Sequence, residues 1–286
     1  MLEKEPSNVS DAIPSPAAPH YDRLDRFYRQ LWGEHVHHGL WTDRAMTPAQ
    51  AVRHLVRRVA HDAEVEAGTS VCDIGCGYGA PARLWAEEYG ASVIGYTVSA
   101  AQHAYAQQQS VNGPRPDLRL RDFLAHGLSE ESVDAAVAIE SLTHMADPAR
   151  AVREAAGVLR PGGRFVACVW MAGSAPSPWA RRHLLDPICE EGRLSGLPTA
   201  ADLRRWVEAA GLTLERLDDV TPLVRHTWTV VLGRFARALC TDPAVLRVLL
   251  DATEPERVFA RTLPRIWLAQ HLGVLRYGWV VATRHE

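Results

Sequence analysis

Residues 71–80 read VCDIGCGYGA, an apolar run that passes into an acid and three glycines, at positions 75, 77 and 79. The apolar residues around Asp73 are typical of a short buried strand, and the segment APARLWAEEYG that follows has helical spacing and stops at Gly90. At the carboxyl end of a strand in a parallel sheet, glycines let a ligand approach the backbone, and the next helix offers unpaired N–H groups. The stretch therefore predicts a ligand site between a strand and a helix.

The flanking segments continue this alternation of strand and helix. Strand patterns occur in SVCDI, ASVIGYTV, LRLRDF, VDAAVAIES and RFVACVW, and helical patterns lie between them in APARLWAEEYG, SAAQHAYAQQQS and DPARAVREAAGVL. The order βαβαβαβ with apolar strands predicts a doubly wound α/β fold, in which a mostly parallel sheet lies between layers of helices.

Composition and pattern divide the chain into four regions. Residues 1–20 are rich in proline and small polar residues, which predicts a disordered leader. Residues 21–60 have the spacing of amphipathic helices and are interpreted as an N-terminal helical lid, ahead of a ligand-binding core at 61–170. In residues 171–286 the alternation loosens, which favours the rest of the sheet with inserted helices that cap the substrate.

Charge and cysteine usage exclude several classes of protein. The formal net charge is −3 and there is no basic run, so nothing favours a nucleic-acid partner. We find no apolar stretch near the roughly 18–20 residues that a membrane span needs, and five cysteines without a C-x-x-C pair indicate reduced thiols in a cytoplasmic protein. Lys4 is the only lysine, which argues against Schiff-base chemistry and a phosphate-binding loop. The sequence leaves open whether the protein forms a homo-oligomer.

The glycine spacing narrows the ligand. A dinucleotide loop would read G-x-G-x-x-G, whereas here the glycines alternate and Asp73 precedes the first of them. A negatively charged side chain at that place would repel a pyrophosphate. It would attract a ligand with a positive amine, such as the methionine portion of S-adenosylmethionine. A nicotinamide oxidoreductase is therefore disfavoured, and a non-catalytic nucleotide-binding protein is the other rival class.

The segment DIGCGYG resembles the glycine loop of class I S-adenosylmethionine-dependent methyltransferases, and the turn RPGG belongs to the same pattern. FYRQLWGEHVHHGLW, GYTVSAAQ and ESLTHMADP are similar to the natural-product branch of that family. That branch includes tocopherol, demethylrifamycin and sugar O-methyltransferases and terpenoid C-methyltransferases, among them that of teleocidin assembly. The resemblance covers about residues 21–225 and implies a Rossmann-like, seven-stranded sheet, S-adenosylmethionine as cofactor and a small-molecule substrate.

The resemblance also implies contacts to the cofactor. Its amino-acid end would be lined by Asp73, Gly75, Gly77 and Gly79. Thr97 and Gln102 match positions that hold the ribose region in relatives with a T-x-S-x-x-Q segment, where the commoner pattern has an acid. Asp122 matches the acid that accepts from the adenine amino group, and Phe123 would offer its backbone N–H to the ring. A solvated loop acid at Asp122 and an exposed helix residue at Gln102 are the alternatives.

The candidate catalytic residues are His144, Glu140 and Tyr21. Glu140 and His144 follow the buried strand VDAAVAI, at the sheet edge where sites of open α/β folds gather. His144 is the candidate base, because an ordinary histidine pKa of about 6.5 lies near working pH, and activity should then fall below about pH 6.5. A contact to the cofactor is the alternative for His144, and Glu140 is expected to hold the site together more than to react. Tyr21 and Tyr28 either pack in an amphipathic helix or reach the sulfonium, and Tyr28 is assigned to the cofactor.

The segment EHVHH could suggest a metal, since imidazoles and a carboxylate are good zinc ligands. In an extended strand His35 and His37 share one side and His38 lies opposite. We expect no metal, because the matching segment in relatives closes over cofactor and substrate, and hydrogen-bonded histidines in a packed lid are the simpler interpretation.

The acceptor is the least determined part of the function. A hydroxyl acceptor benefits from a base, whereas methylation of an alkene leaves a carbocation that aromatic faces would stabilise. The nine tryptophans permit either chemistry. The resemblance slightly favours C-methylation of a prenylated or terpenoid acceptor of indole-alkaloid type, and O-methylation of a sugar, macrolide or phenol is the alternative.

Overall fold

A computed structural model describes residues 17–243, 247 and 259–285 of the chain. In these residues a seven-stranded sheet has the order β3-β2-β1-β4-β5-β7-β6. The strands are β1 (Ser70–Ile74), β2 (Ser92–Thr97), β3 (Asp117–Leu120), β4 (Val133–Ile139), β5 (Leu159–Ala172), β6 (Leu212–Asp219) and β7 (Leu275–Arg284). Strands β1 to β5 pair in parallel, and β7 is antiparallel to both β5 and β6. The predicted doubly wound, mostly parallel sheet is confirmed.

Helices cover both faces of the sheet. They are α1 (Ala17–Leu31), α2 (Pro48–Asp62), α3 (Ala80–Tyr89), α4 (Ala100–Gln108), α5 (Pro148–Val158), α6 (Pro178–Ala180), α7 (Asp186–Gly192), α8 (Ala200–Ala209), α9 (Thr221–Val224), α10 (His226–Thr241) and α11 (Phe259–His271). One buried apolar cluster joins α2 and α3 to one face, and a second joins α5 and α8 to the other. No helix within the described ranges is long and apolar enough to cross a membrane.

A third cluster lies beyond the edge of the sheet. It packs α1 against α7, α10 and α11 through Leu31, Ile188, Trp228, Leu263 and Ile266, all at most 4% exposed. These helices lie in the two regions, 21–60 and 171–286, where the sequence predicts a lid and inserted helices. The helix α1 begins at Ala17, so the predicted leader at 1–20 is wrong for its last residues, and the rest of it lies outside the described residues.

The site is placed by strand order. β1 lies between β2 and β4, and the chain proceeds from β1 outward to β3 on one side before it returns to β4 on the other. Such a reversal opens a crevice at the carboxyl ends of the two central strands. The loop after β1 contains Gly75, Gly77 and Gly79, and the loop after β4 contains Glu140 and His144.

Candidate active site

Two adjoining chambers open over the carboxyl ends of β1, β2 and β4. The first chamber encloses about 710 Å³ of space, part of it open to solvent, and is bordered by the loops after these strands and after β3. Nine of the twelve predicted site residues line it, namely Tyr21, Gly75, Gly77, Thr97, Gln102, Asp122, Phe123, Glu140 and His144. The sequence therefore brings together residues that are up to 123 positions apart, as Tyr21 and His144 are.

The glycines of the loop after β1 have different surroundings. Gly75 has a φ of +83°, and a side chain there would collide with Ser141, whose hydroxyl donates to the carbonyl of Ile74. Gly77, with a φ of +53°, has no neighbour within 4 Å of where a Cβ would be, so its backbone is open to a ligand. Gly79 does not line the chamber, and a Cβ there would meet Leu118 at 2.6 Å. Because Gly79 has no side chain, α3 can pack closely against the sheet.

Asp73 lies behind the glycine loop and is only 2% exposed. Its Oδ2 is buried without a hydrogen-bond partner in the described residues, and burial raises the pKa of the carboxyl to about 7. A buried carboxylate without a donor is costly unless a cation or donor reaches it. This orphaned oxygen fits a ligand with an ammonium group.

Hydrogen bonds between neighbours in sequence hold several other residues of the first chamber in place. The Thr97 hydroxyl donates to Oε1 of Gln102 at 3.0 Å, and both side chains are buried, so the alternative of an exposed residue at Gln102 is wrong. Asp122 accepts the backbone N–H of Leu124 at 2.9 Å and so caps the short helix that begins at Phe123. Arg121 also lines the chamber, which no motif had indicated.

The second chamber encloses about 680 Å³ of space, part of it open to solvent, and shares a wall with the first. Tyr21, Val36, Glu140 and His144 border both. Its other lining residues are largely aromatic or apolar and come from α1, β5 and the inserted helices, namely His20, Tyr28, Trp32, His38, Trp170, Ile188, Glu191, Gly192, Leu194, Trp228, Thr262 and Ile266. Tyr28, which the sequence assigns to the cofactor, lines the second chamber and not the first.

His144 and Tyr21 form a pair in the shared wall. The Tyr21 hydroxyl and Nε2 of His144 are 3.0 Å apart, and Nδ1 of His144 is buried without a partner in the described residues. Burial, together with nearby His20, lowers the pKa of His144 to about 4, although the charge of Glu140 opposes this. The imidazole is therefore neutral at pH 7, and the expected loss of activity near pH 6.5 does not follow from its surroundings.

Glu140 receives donors from three segments. Its Oε1 accepts from the backbone N–H of His38 at 2.6 Å, from Nδ1 of His38 at 2.9 Å and from the Tyr277 hydroxyl at 2.8 Å, and its Oε2 accepts from the indole of Trp170 at 2.9 Å. Burial alone would raise the pKa of Glu140, but the adjoining His38 lowers it to about 2. A carboxylate with this many partners ties the strand ends to the segment 35–38.

The histidines of that segment form a hydrogen-bonded chain. Nδ1 of His37 donates to the carbonyl of His38 at 2.7 Å, so Nε2 of His37 accepts from Nδ1 of His35 at 3.0 Å. Nε2 of His38 accepts the Trp228 indole N–H at 2.6 Å. Burial lowers the pKa of both His35 and His37, that of His35 to about 2. Across the described ranges, no group of three or more His, Cys, Asp or Glu could hold a metal ion.

The helix α1 is bonded directly to the elements that border the first chamber. Asp22 accepts the Ser99 hydroxyl at 2.5 Å and the backbone N–H of Ala101 at 3.1 Å, at the start of α4. Asp25 accepts the hydroxyl of Tyr78, which lies between two glycines of the loop, at 2.7 Å. The position of α1 is thereby coupled to the glycine loop.

Comparisons with known proteins agree with this geometry. Residues 72–167 match the family model described as a methyltransferase domain. The chain is 30% identical to the 27-O-demethylrifamycin SV methyltransferase of Amycolatopsis mediterranei, over 87% of this chain and all of that protein. It is 25% identical to the chloroplastic tocopherol O-methyltransferase of Arabidopsis thaliana, over 96% and 83% of the two chains.

A solved structure shares the fold. The geranyl diphosphate C-methyltransferase of Streptomyces coelicolor, in complex with Mg²⁺, geranyl diphosphate and S-adenosyl-L-homocysteine, superposes with a TM-score of 0.67 at 18% identity, over 95% of this chain and all of that one. The glycine loop and the unpartnered oxygen of Asp73 agree with the match to a relative over its full length. The chain therefore belongs to the S-adenosylmethionine-dependent methyltransferases and uses S-adenosylmethionine to methylate a small molecule.

Proposed function

We propose that the protein transfers the methyl group to a hydroxyl oxygen of a largely apolar small molecule. The observation that carries this proposal is the Tyr21–His144 pair, which lies in the wall that the two chambers share. The first chamber would hold the cofactor and the second the acceptor. Methyl transfer would then take place at the boundary that these two side chains border.

The cofactor contacts are assigned in the same proposal. Asp73 would pair with the ammonium group, since its Oδ2 has no other partner among the described residues. Gly75 and Gly77 would lie along the amino-acid portion, Thr97 and Gln102 along the ribose, and Asp122 and Phe123 along the adenine. When bound, S-adenosylmethionine supplies a methyl group activated by a sulfonium, so the protein needs to align the nucleophile and exclude water.

Tyr21 and His144 would take the proton of the acceptor hydroxyl. The lowered pKa of His144 keeps the ring free to accept a proton at neutral pH, either from the acceptor or through the Tyr21 hydroxyl. Glu140 would act as a positioning residue, because its oxygens are occupied by His38, Tyr277 and Trp170. This is the role that the sequence favours for Glu140.

A second candidate is C-methylation of a prenylated or terpenoid acceptor, which the sequence slightly favours. Its support is the aromatic wall of the second chamber, where Tyr28, Trp32, Trp170 and Trp228 meet. Such faces stabilise a developing carbocation. The chain matches two O-methyltransferases over 100% and 83% of their length. For this reason we place the oxygen acceptor first.

The test is a transfer assay with S-adenosylmethionine that carries an isotope-labelled methyl group. The purified protein is incubated with hydroxylated macrolides, phenols, sugar-bearing metabolites and prenylated indoles, and each product is identified by mass spectrometry and carbon NMR. We expect the labelled methyl group to be bonded to an oxygen, with the carbon chemical shift of a methyl ether. Label at carbon would replace the first candidate by the second, and label at nitrogen would contradict both.

A further inference from the structure

The second chamber contains a carboxylate with one oxygen unused. Glu191, on α7, is 15% exposed, and its Oε2 accepts from the Thr262 hydroxyl at 2.5 Å and from the guanidinium of Arg265. Both partners lie on α11. No donor from the described residues bonds to the other oxygen, Oε1, of this side chain, which lines the chamber. Oε1 is therefore free to accept a hydrogen bond from a ligand that enters the chamber.

The neighbouring donors are already occupied. The indole N–H of Trp170 donates to Glu140, and that of Trp228 donates to His38. These two rings therefore present only apolar surface to the chamber. The chamber thus combines apolar walls with a free hydrogen-bond acceptor at the α7–α11 side.

The charge of the chamber also limits what it binds. Among the described lining residues there is neither a lysine nor an arginine, whereas Glu140 and Glu191 are both carboxylates. Arg265 balances the charge of Glu191 but does not line the chamber. An anionic group such as a phosphate, diphosphate or carboxylate would find no lysine or arginine among these described residues, so its desolvation would not be compensated by them.

We infer that Glu191 is a specificity-determining residue, which accepts a hydrogen bond from a hydroxyl or N–H group of the acceptor. The substrate class is then an uncharged or cationic molecule with an apolar, ring-containing body and such a donor at the end remote from the methylated atom. The described lining residues do not fit acceptors that carry a phosphate or diphosphate. This inference depends on the proposed function only in taking the second chamber as the acceptor site.

The experiment compares three probes with one aromatic body: 2-naphthol, 2-methoxynaphthalene and 2-naphthyl phosphate. Each is titrated calorimetrically into the full-length protein saturated with S-adenosylhomocysteine. A hydrogen bond to a charged acceptor is worth about 1.5–3 kcal/mol, which corresponds to roughly 10- to 100-fold in affinity. We expect 2-naphthol to bind more tightly than the ether by about this factor, and the phosphate to bind most weakly.

The variant Glu191→Gln reports on the carboxylate itself. Arg265 and Thr262 both donate, so the amide oxygen of the new side chain would turn to them and its NH₂ group would face the chamber. We expect the preference for 2-naphthol over the ether to disappear or reverse. Glu190→Gln is the matched control, since it removes the same charge from an exposed neighbour on α7, and it should keep the parent's preference.

The outcomes separate the inference from the proposed function. Equal binding of 2-naphthol and its ether to the parent, tightest binding of the phosphate, or a preference that survives Glu191→Gln would each overturn the inference. So would failure of all the probes to bind while S-adenosylhomocysteine binds normally, and the proposed function would then still stand. Failure of S-adenosylhomocysteine itself to bind would contradict the proposed function. Unchanged S-adenosylhomocysteine affinity in both variants shows that they fold.

Discussion

His144 illustrates what a residue's surroundings add to its sequence position. Its place after a buried strand indicates a site residue, and it lies beside Tyr21 in the wall of both chambers. Its pKa could not be predicted, because burial among α1 and the strand ends is a tertiary property. Arg121 and Glu191 were missed for a related reason, since neither belongs to a local motif and only the folded chain brings them to a chamber.

The pH dependence of turnover follows from that pKa. With a folded pKa of about 4, His144 is neutral above that value and becomes charged below it. At saturating cofactor, we therefore expect turnover by the parent to stay level from pH 8 down to about 5.5, since the base is already neutral there. A decline centred near pH 6.5 would show that the ring titrates as in water and would contradict this placement.

Replacement of the ring tests its role as base. His144→Gln should lower turnover by about 10²- to 10⁴-fold, the usual contribution of a general base, with S-adenosylhomocysteine affinity nearly unchanged. His183→Gln, at an exposed position between α6 and α7, is the matched control and should retain turnover. If the variant instead loses affinity for S-adenosylhomocysteine while turnover at saturating cofactor is kept, His144 is a cofactor contact.

Among the elements, the helix α1 depends most on contacts that a local pattern does not contain. The amphipathic spacing of residues 21–60 predicts the helix, and the next helix, α2, has local signals of its own, with Thr47 as its cap and Pro48 as its first residue. The bonds from Asp22 to α4 and from Asp25 to Tyr78 join segments more than fifty positions apart, so only the fold shows them. The predicted helices in APARLWAEEYG and DPARAVREAAGVL are confirmed, because their spacing and end signals are local.

The coupling of α1 to the glycine loop leads to a prediction for cofactor binding. The double variant Asp22→Ala and Tyr78→Phe removes bonds that hold α1 over the first chamber. At about 1 kcal/mol for each of the three lost bonds, we expect S-adenosylhomocysteine affinity to fall by roughly 100-fold, with little change in the circular dichroism spectrum. Arg23→Ala, at an exposed position of α1, is the control. Parental affinity in the double variant would mean that α1 only packs.

At the scale of the whole molecule, Asp62 joins the end of α2 to the antiparallel part of the sheet. It accepts from Arg58, from Arg216 on β6 and from the indole of Trp279 on β7 at 2.9 Å. The parallel half of the sheet could be predicted from its apolar strands. The pairing of β7 between β5 and β6 could not, because a strand pattern does not indicate its neighbours or its direction.

Asp62→Ala should therefore weaken the fold without altering the site. The buried indole N–H of Trp279 would lose its acceptor, and the free energy of unfolding should fall by about 1–3 kcal/mol in urea titrations. S-adenosylhomocysteine affinity should stay at the parental value, since Asp62 lines neither chamber. Glu66→Ala, at an exposed position, should change stability by less than about 0.5 kcal/mol. A loss no larger than that of the control would contradict this role.

The two chambers are built from different elements of the fold, and this affects how such a protein can evolve new specificities. The loops after β1, β2, β3 and β4 supply most of the first chamber, whereas α1, α7, α10 and α11 supply most of the second. If the first chamber holds the methyl donor and the second the acceptor, as proposed, substitutions on the inserted helices would change which molecule is accepted while binding of the methyl donor is retained. Laboratory evolution aimed at new acceptors would accordingly randomise positions on α7 and α11, and leave Glu140 and the glycine loop untouched.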